Sequence, residues 1–297
     1  MHWLGSHLAA IGAATAASLF VALGIVVRQA ALQRPAVSDK PMPAAVVAVL
    51  RDGLWWAGTL SAVAGYAFQA LALAHGSLML VQPLLVSSLL FVLPLSAWRT
   101  GKRVTGSEWA WATLLTAALA VFVLVGRPKE GHYHLTAPAL LFACAATVPV
   151  LVICVGLARR TTGRVRATSL GVAVAIGLGM IALLTKTCTR LFGVGGWHAL
   201  LSVPAPYLVV LLAIGVTGLQ QWAFQAGALQ ASVPVMLVGE PVVAVALGIV
   251  VLGEHLTAHG VGALLLPAAI GAMAAATVAM GRGEGAQTEE AARLHAQ

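Results

Sequence analysis

Glu240 is the residue whose type and place could do the most chemistry. It lies about nine residues into the apolar stretch 232–252. A carboxylate at that depth costs at least about 2.5–3.5 kcal/mol on membrane-insertion scales, so it needs a reason. Pro241 follows it and cannot donate a backbone hydrogen bond, which leaves a local irregularity in any helix there. Such a carboxyl group can bind a proton or a substrate group that faces a cavity. The alternative is a structural carboxylate, hydrogen-bonded to a neighbouring helix.

Glutamines are the second group. Gln220, Gln221 and Gln225 crowd the stretch 206–229, and Gln69 and Gln82 are their counterparts earlier in the chain. A glutamine supplies donors and acceptors, which suits sugars, nucleosides, amino acids or a lipid headgroup. Any single one is equally explained by an interhelical hydrogen bond of about 0.6 kcal/mol. As a cluster they read as a cavity wall, with Gln221 and Gln225 four apart on one helix face and Gln220 offset from them.

Lys186 could neutralise an anionic substrate group or pair with a carboxylate, although snorkelling to the interface beside Arg190 is the favoured reading. Asp39, Asp52, Glu108, Glu130 and Glu254 all fall in loops or at span ends, so Glu240 stands as the one carboxylate of the apolar core. His132 and His134 form an HxH pair without a third ligand and read as solvated loop. Cys144, Cys154 and Cys188 show no CxxC spacing and read as buried small side chains. No nucleophile–base pair, phosphate loop or metal-ligand cluster is evident. The expectation is therefore neither an enzyme nor a metal or cofactor protein.

The elements that must carry these residues are membrane helices. The 297 residues are 60% hydrophobic and 9% charged, against about 25% charged in soluble domains. Apolar runs of bilayer-crossing length recur at roughly 4–27, 54–74, 77–98, 108–126, 136–158, 168–187, 206–229, 232–252 and 259–280. That predicts an all-α integral membrane protein of nine helices, or ten if the short stretch 43–50 also crosses. Trp3, Trp55, Trp56, Trp98, Trp109, Trp111 and Trp197 at span ends form an aromatic belt. The first run is too long for a signal-peptide core and lacks a basic leader, so it reads as a first span. The tail 281–297 is polar and reads as disordered.

The net charge of +8 would favour nucleic acid in a soluble protein, but here the basic residues sit in short loops and set topology. With the N-terminus outside, 13 Lys and Arg residues face the cytoplasm and 4 face outward. The expected location is the cell membrane, multi-pass, with a cytoplasmic C-terminus. The bilayer is the expected partner, nucleic acid is not, and a homo-oligomer is compatible with the sequence.

An internal repeat is visible. AFQALAL (67–73) matches AFQAGAL (223–229) at six of seven positions, and LMLVQP (78–83) has its counterpart in VMLVGEP (235–241). The copies begin five crossings apart, and an odd offset inverts the second. The reading is two inverted-topology repeats, 1–130 and 131–280, an arrangement typical of secondary transporters with a midplane site.

The stretch WWAGTLSAVAGYAFQALALAHGSLMLVQPL (55–84) resembles the NIPA-like branch of the drug/metabolite transporter superfamily, as does ALLTKTCTRLF (182–192). GEPVVAVALGIVVLGEHLT (239–257) is similar to the EamA-type pattern, whereas AWRTGKRVT (97–105) departs from it. The resemblance implies a secondary carrier without ATP, and for the NIPA-like branch, magnesium. Magnesium favours several oxygen ligands including carboxylates, and the core offers Glu240. A small metabolite or a lipid-linked headgroup is therefore the expected substrate. Magnesium transport and a non-transporting scaffold or lipid-binding subunit are the alternatives.

Overall fold

In the computed structural model, residues 2–32, 51–100, 104–129, 131, 137–225, 229–257 and 261–294 are described. The stretch 43–50, Glu130, the HxH loop, and the side chains of Gln221 and Gln225 lie outside them. Ten helical segments follow in order. They are α1 (His2–Leu32), α2 (Gly53–His75), α3 (Leu78–Val86), α4 (Ser88–Thr100) and α5 (Gly106–Gly126). After these come α6 (Ala137–Arg160), α7 (Gly163–Leu201), α8 (Ala205–Gln225), α9 (Leu229–Leu252) and α10 (Val261–Leu294).

Among the described residues, eight helices are long and apolar enough to cross a membrane, α3 and α4 together supplying one of them over Leu78–Leu95. The ninth apolar stretch forms α8, whose apolar part spans Ala205–Gln220. The chain is a multi-pass α-helical membrane protein. Helix starts follow local chemistry. Asp52 Oδ1 accepts from the amides of Leu54 and Trp55 at 2.7 and 3.3 Å to cap α2. Thr105 and Glu108 form a capping box on α5. The crossing α3–α4 is interrupted at Ser87, four residues after Pro83, and Ser87 turns its hydroxyl onto the Leu84 carbonyl at 2.6 Å.

Beyond Arg282, where the apolar crossing ends, α10 continues as helix to Leu294. The tail was expected to be disordered, but its run AQTEEAARL is rich in strong helix formers.

Small residues let the backbones meet. On α1 and α2, a Cβ added to Gly24 would stand 2.9 Å from the Gly58 carbonyl oxygen, and one added to Gly58 would stand 2.9 Å from the Arg28 nitrogen. α7 lies at the centre and is the most buried crossing. Its Gly171, Ala175 and Gly179 recur every four residues on one face. A Cβ at Gly171 would meet the Ser232 carbonyl at 3.1 Å, and one at Gly179 would meet Val243 Cγ1 at 2.6 Å. Gly239 of α9 fits against Ala175 in return. α7 also packs on α8 and α6, and α3 packs on α9, while α5 packs on α10. Ser18 of α1 donates to the Leu84 carbonyl at 3.1 Å and ties α1 to α3.

Candidate functional site

Two polar assemblies lie inside this bundle. The first is at the end where α2 turns into α3. Gly76 and Ser77 make the turn, and Ser77 Oγ accepts from the Leu80 amide at 3.1 Å. A helix start leaves its first amides without intrahelical partners. Here Glu254, in the turn after α9, takes two of them. The Leu78 amide donates to Oε1 at 2.8 Å and the Met79 amide to Oε2 at 2.9 Å. The negative carboxylate also suits the positive end of the helix dipole.

Lys186 of α7 completes this assembly. Its Nζ lies 3.1 Å from Glu254 Oε1, and both side chains are 0% exposed. Nζ also donates to the Gly76 carbonyl at 2.6 Å. Snorkelling beside Arg190 is therefore corrected: Lys186 points into the protein and meets a carboxylate there. The reading of Glu240 as the core's one carboxylate is corrected too, because Glu254 is the more buried. Glu254 sits in a turn, as its sequence position suggests, but that turn folds inward. Its amide donates to the Gly248 carbonyl at 3.0 Å.

The backbone around Glu254 is tied down as well. Lys129 and His255 pair in antiparallel fashion, with N–O distances of 3.0 and 3.4 Å, and the Thr257 amide donates to the Gly126 carbonyl at 3.0 Å. These bonds join the end of α5 to the end of α9.

The second assembly lies deeper. Glu254 and Gly248 both touch the start of α3, and a Cβ on Gly248 would lie 3.3 Å from Leu78 Cβ. The two helices pack antiparallel from that point. Glu240 is eight residues back from Gly248 and Ser87 nine residues on from Leu78, about 12 and 13.5 Å of helix rise respectively. Glu240 therefore sits level with the interruption between α3 and α4. It is half-buried. Tyr66 of α2 stands within electrostatic reach of both Glu240 and Arg28. Tyr66 is 63% exposed, whereas Leu73, two helical turns along the same flank of α2, is fully buried.

Gln82 is the other polar residue here. It is 1% exposed, and its amide nitrogen has no hydrogen-bond partner among the described residues. It precedes Pro83 as Glu240 precedes Pro241. A buried donor without a partner costs about 1–3 kcal/mol. Gln69 is half-buried, at helical spacing from Gly65 and Ala72 on the face that α1 covers. Gln220 is half-buried on α8. Next to it, Trp222 carries Arg166 over its ring at 5.1 Å.

Tyr66 and the depth of Glu254 escape a reading of the sequence. A tyrosine in an apolar run gives no signal, and a glutamate in a turn is normally solvated. An apolar cavity of about 140 Å³ lies between α6, α7 and α8, lined by Leu140, Cys144, Thr147, Met180, Leu184 and Leu212 among others. None of the candidate polar residues borders it. Among the described residues, no three of His, Cys, Asp and Glu gather as a metal site.

No family model matches the chain, and no solved structure matches it. A protein of Corynebacterium glutamicum, described as uncharacterized, is 35% identical over 284 residues, spanning 93% of this chain and 96% of that protein.

Proposed function

We propose that this chain, which belongs to one family with the Corynebacterium glutamicum protein, is a secondary transporter of a small organic solute, working by alternating access without ATP. The observation that carries the reading is the like placing of Gln82 and Glu240. Two helices that pack on each other each place a polar side chain just before a proline. One of these side chains has an amide nitrogen without a partner among the described residues, and the other is a half-buried carboxylate. An interrupted helix at mid-membrane with free polar groups is the usual build of a carrier's substrate site.

The inverted repeat belongs to the same proposal. In the match of the sequence copies, α4 and α3 correspond to α9, and α5 to α10. The pairs α3–α9 and α5–α10 each lie in contact, which is compatible with a two-fold axis passing between them. The resemblance to the drug/metabolite transporter superfamily points the same way. On the charge bias, the α2–α3 turn faces outward and the Arg28 end faces the cytoplasm of the cell membrane.

An organic solute is favoured over magnesium by the placing of the two interior carboxylates. Glu254 is committed to Lys186 and two amides, which leaves Glu240 as the carboxylate for cargo. Magnesium is normally held by one or two carboxylates with further oxygens. Glu240 and the Tyr66 hydroxyl would face the cargo or a coupling proton, with Arg28 balancing charge.

The test is flux in proteoliposomes loaded with a panel of amino acids, nucleosides, monosaccharides and, separately, magnesium. Wild-type protein should carry an organic member of the panel, and Glu240→Gln should lower that flux at least tenfold or remove its pH dependence. Unchanged flux with unchanged pH dependence would take Glu240 out of the mechanism. Selective magnesium flux would replace the organic solute.

A further inference from the structure

We infer that Lys186 and Glu254 form the latch of the outward gate, shut in this structure and broken when that end opens. The inference rests on the transport reading above. It concerns residues outside the Glu240 site.

The location comes first. The ion pair joins three elements at one end of the bundle: α7 through Lys186, the α2–α3 turn through Gly76, Leu78 and Met79, and the α9–α10 turn through Glu254. If one of these elements moves away from the other two, charged hydrogen bonds are lost. The same end is sealed by the Lys129–His255 pairing and by Gly131, where a Cβ would run into the Leu252 carbonyl. Below it, the Tyr66 side chain of α2 is exposed. A bundle closed above its polar midplane residues has the shape of one side of an alternating-access cycle.

The energetics favour a device that opens. A buried ion pair is no better for stability than well-packed apolar side chains, because desolvation offsets the attraction. It differs in what happens when water enters. Two leucines lose contact and gain nothing, whereas a lysine and a carboxylate each recover hydration. The pair therefore has two good arrangements, dry and joined or wet and apart, and a poor one between. That is the bistability a gate requires. Gly248 belongs to the same device, since a Cβ there would stand 2.7 Å from Glu254 Oε2.

The readout is water access, not flux. Ser77 is 1% exposed beneath the latch. With Cys144, Cys154 and Cys188 replaced by alanine and Ser77→Cys added, a membrane-impermeant maleimide applied from outside should react slowly. Adding Glu254→Gln, or Gly248→Ala with both charges kept, should speed the reaction at least tenfold in protein that still runs as a single species in detergent. Unchanged rates in both variants would make the pair a fixed staple and overturn the gate.

A second measurement needs no substitution. In hydrogen exchange of the unaltered chain in liposomes, the peptide covering 76–80 should exchange at least tenfold faster than the one covering 171–184 of α7. Equal rates would mean that this end opens only with global unfolding, which also overturns the gate. An opening latch with no solute crossing from the panel would count against the transport reading alone. Flux with a latch that never opens would count against the gate alone.

Discussion

Gly248 lies against Glu254, with room for a hydrogen and not for a methyl. A Cβ there would come within 2.7 Å of the carboxylate oxygen Oε2 and within 3.3 Å of Leu78 Cβ. Gly248→Ala is therefore expected to push Glu254 off the start of α3 and to destabilise the protein by about 1–3 kcal/mol, the usual cost of overpacking. A thermal-shift measurement in detergent reads this, and a stability equal to wild type would show that the turn relaxes freely.

Removing one charge should cost more than removing both. Lys186→Met leaves the Glu254 carboxylate buried with two amide donors but no cation, and about 3–5 kcal/mol of stability should be lost. In Lys186→Met/Glu254→Met no charge is stranded, so part of that loss should return. Recovery should be incomplete, because the Leu78 and Met79 amides lose their acceptors at about 1–3 kcal/mol for each one left unsatisfied. The three unfolding curves in a denaturing detergent series check the order. A double variant less stable than Lys186→Met would contradict it.

Gln82 separates stability from function. Its unpartnered amide makes Gln82→Leu neutral or slightly stabilising by the rule for buried polar groups. The same substitution should lower the flux of the panel solute at least tenfold, since a glutamine aimed at a substrate is lost. A variant that is more stable and equally active would return Gln82 to packing.

The crossing of α7 and α9 is held by small residues, so it should be sensitive to size. Gly179→Val places branched atoms where Val243 already stands, 2.6 Å from the Cβ position. It should reduce the yield of folded protein more than the same change at Gly12, where nothing lies within 4 Å. Size-exclusion profiles of the two variants give the comparison.

Orientation rests on charge alone and has its own test. A reporter fused after Gln297 should read as cytoplasmic, in line with 13 inward and 4 outward basic residues. An extracellular reading would invert the whole assignment and put the latch on the cytoplasmic side.

The helices were legible because each bilayer crossing leaves a contiguous apolar run, and the run boundaries fall within a few residues of α2, α5, α6 and α9. Glu240 stood out by the same rule, as a charge inside such a run. The latch did not. Lys186 and Glu254 are 68 positions apart, and Glu254 and Leu78 176 apart. Hydropathy carries no information about which turn folds inward. Lys186 near a span end looks like an interfacial anchor until its partner's position is known. Tyr66, an aromatic in an apolar run, gives no signal in the sequence. Of the glutamines, Gln69 lies on α2's α1-facing side and Gln82 in α3.

The capping of α3 by Glu254 has a consequence for how the chain is made. The Leu78 and Met79 amides emerge from the ribosome 176 residues before the oxygen that accepts from Leu78. At about 5–20 residues per second that is a delay of roughly 9–35 s. During it, the first half sits in or beside the insertion machinery with its third helix capped by Ser77 alone and its turn unanchored. The early half must be sheltered until its late-arriving partner is synthesised. A ribosome-bound fragment ending before Glu254 should accordingly remain protease-sensitive at the 76–77 turn, and become resistant once the last two crossings are added.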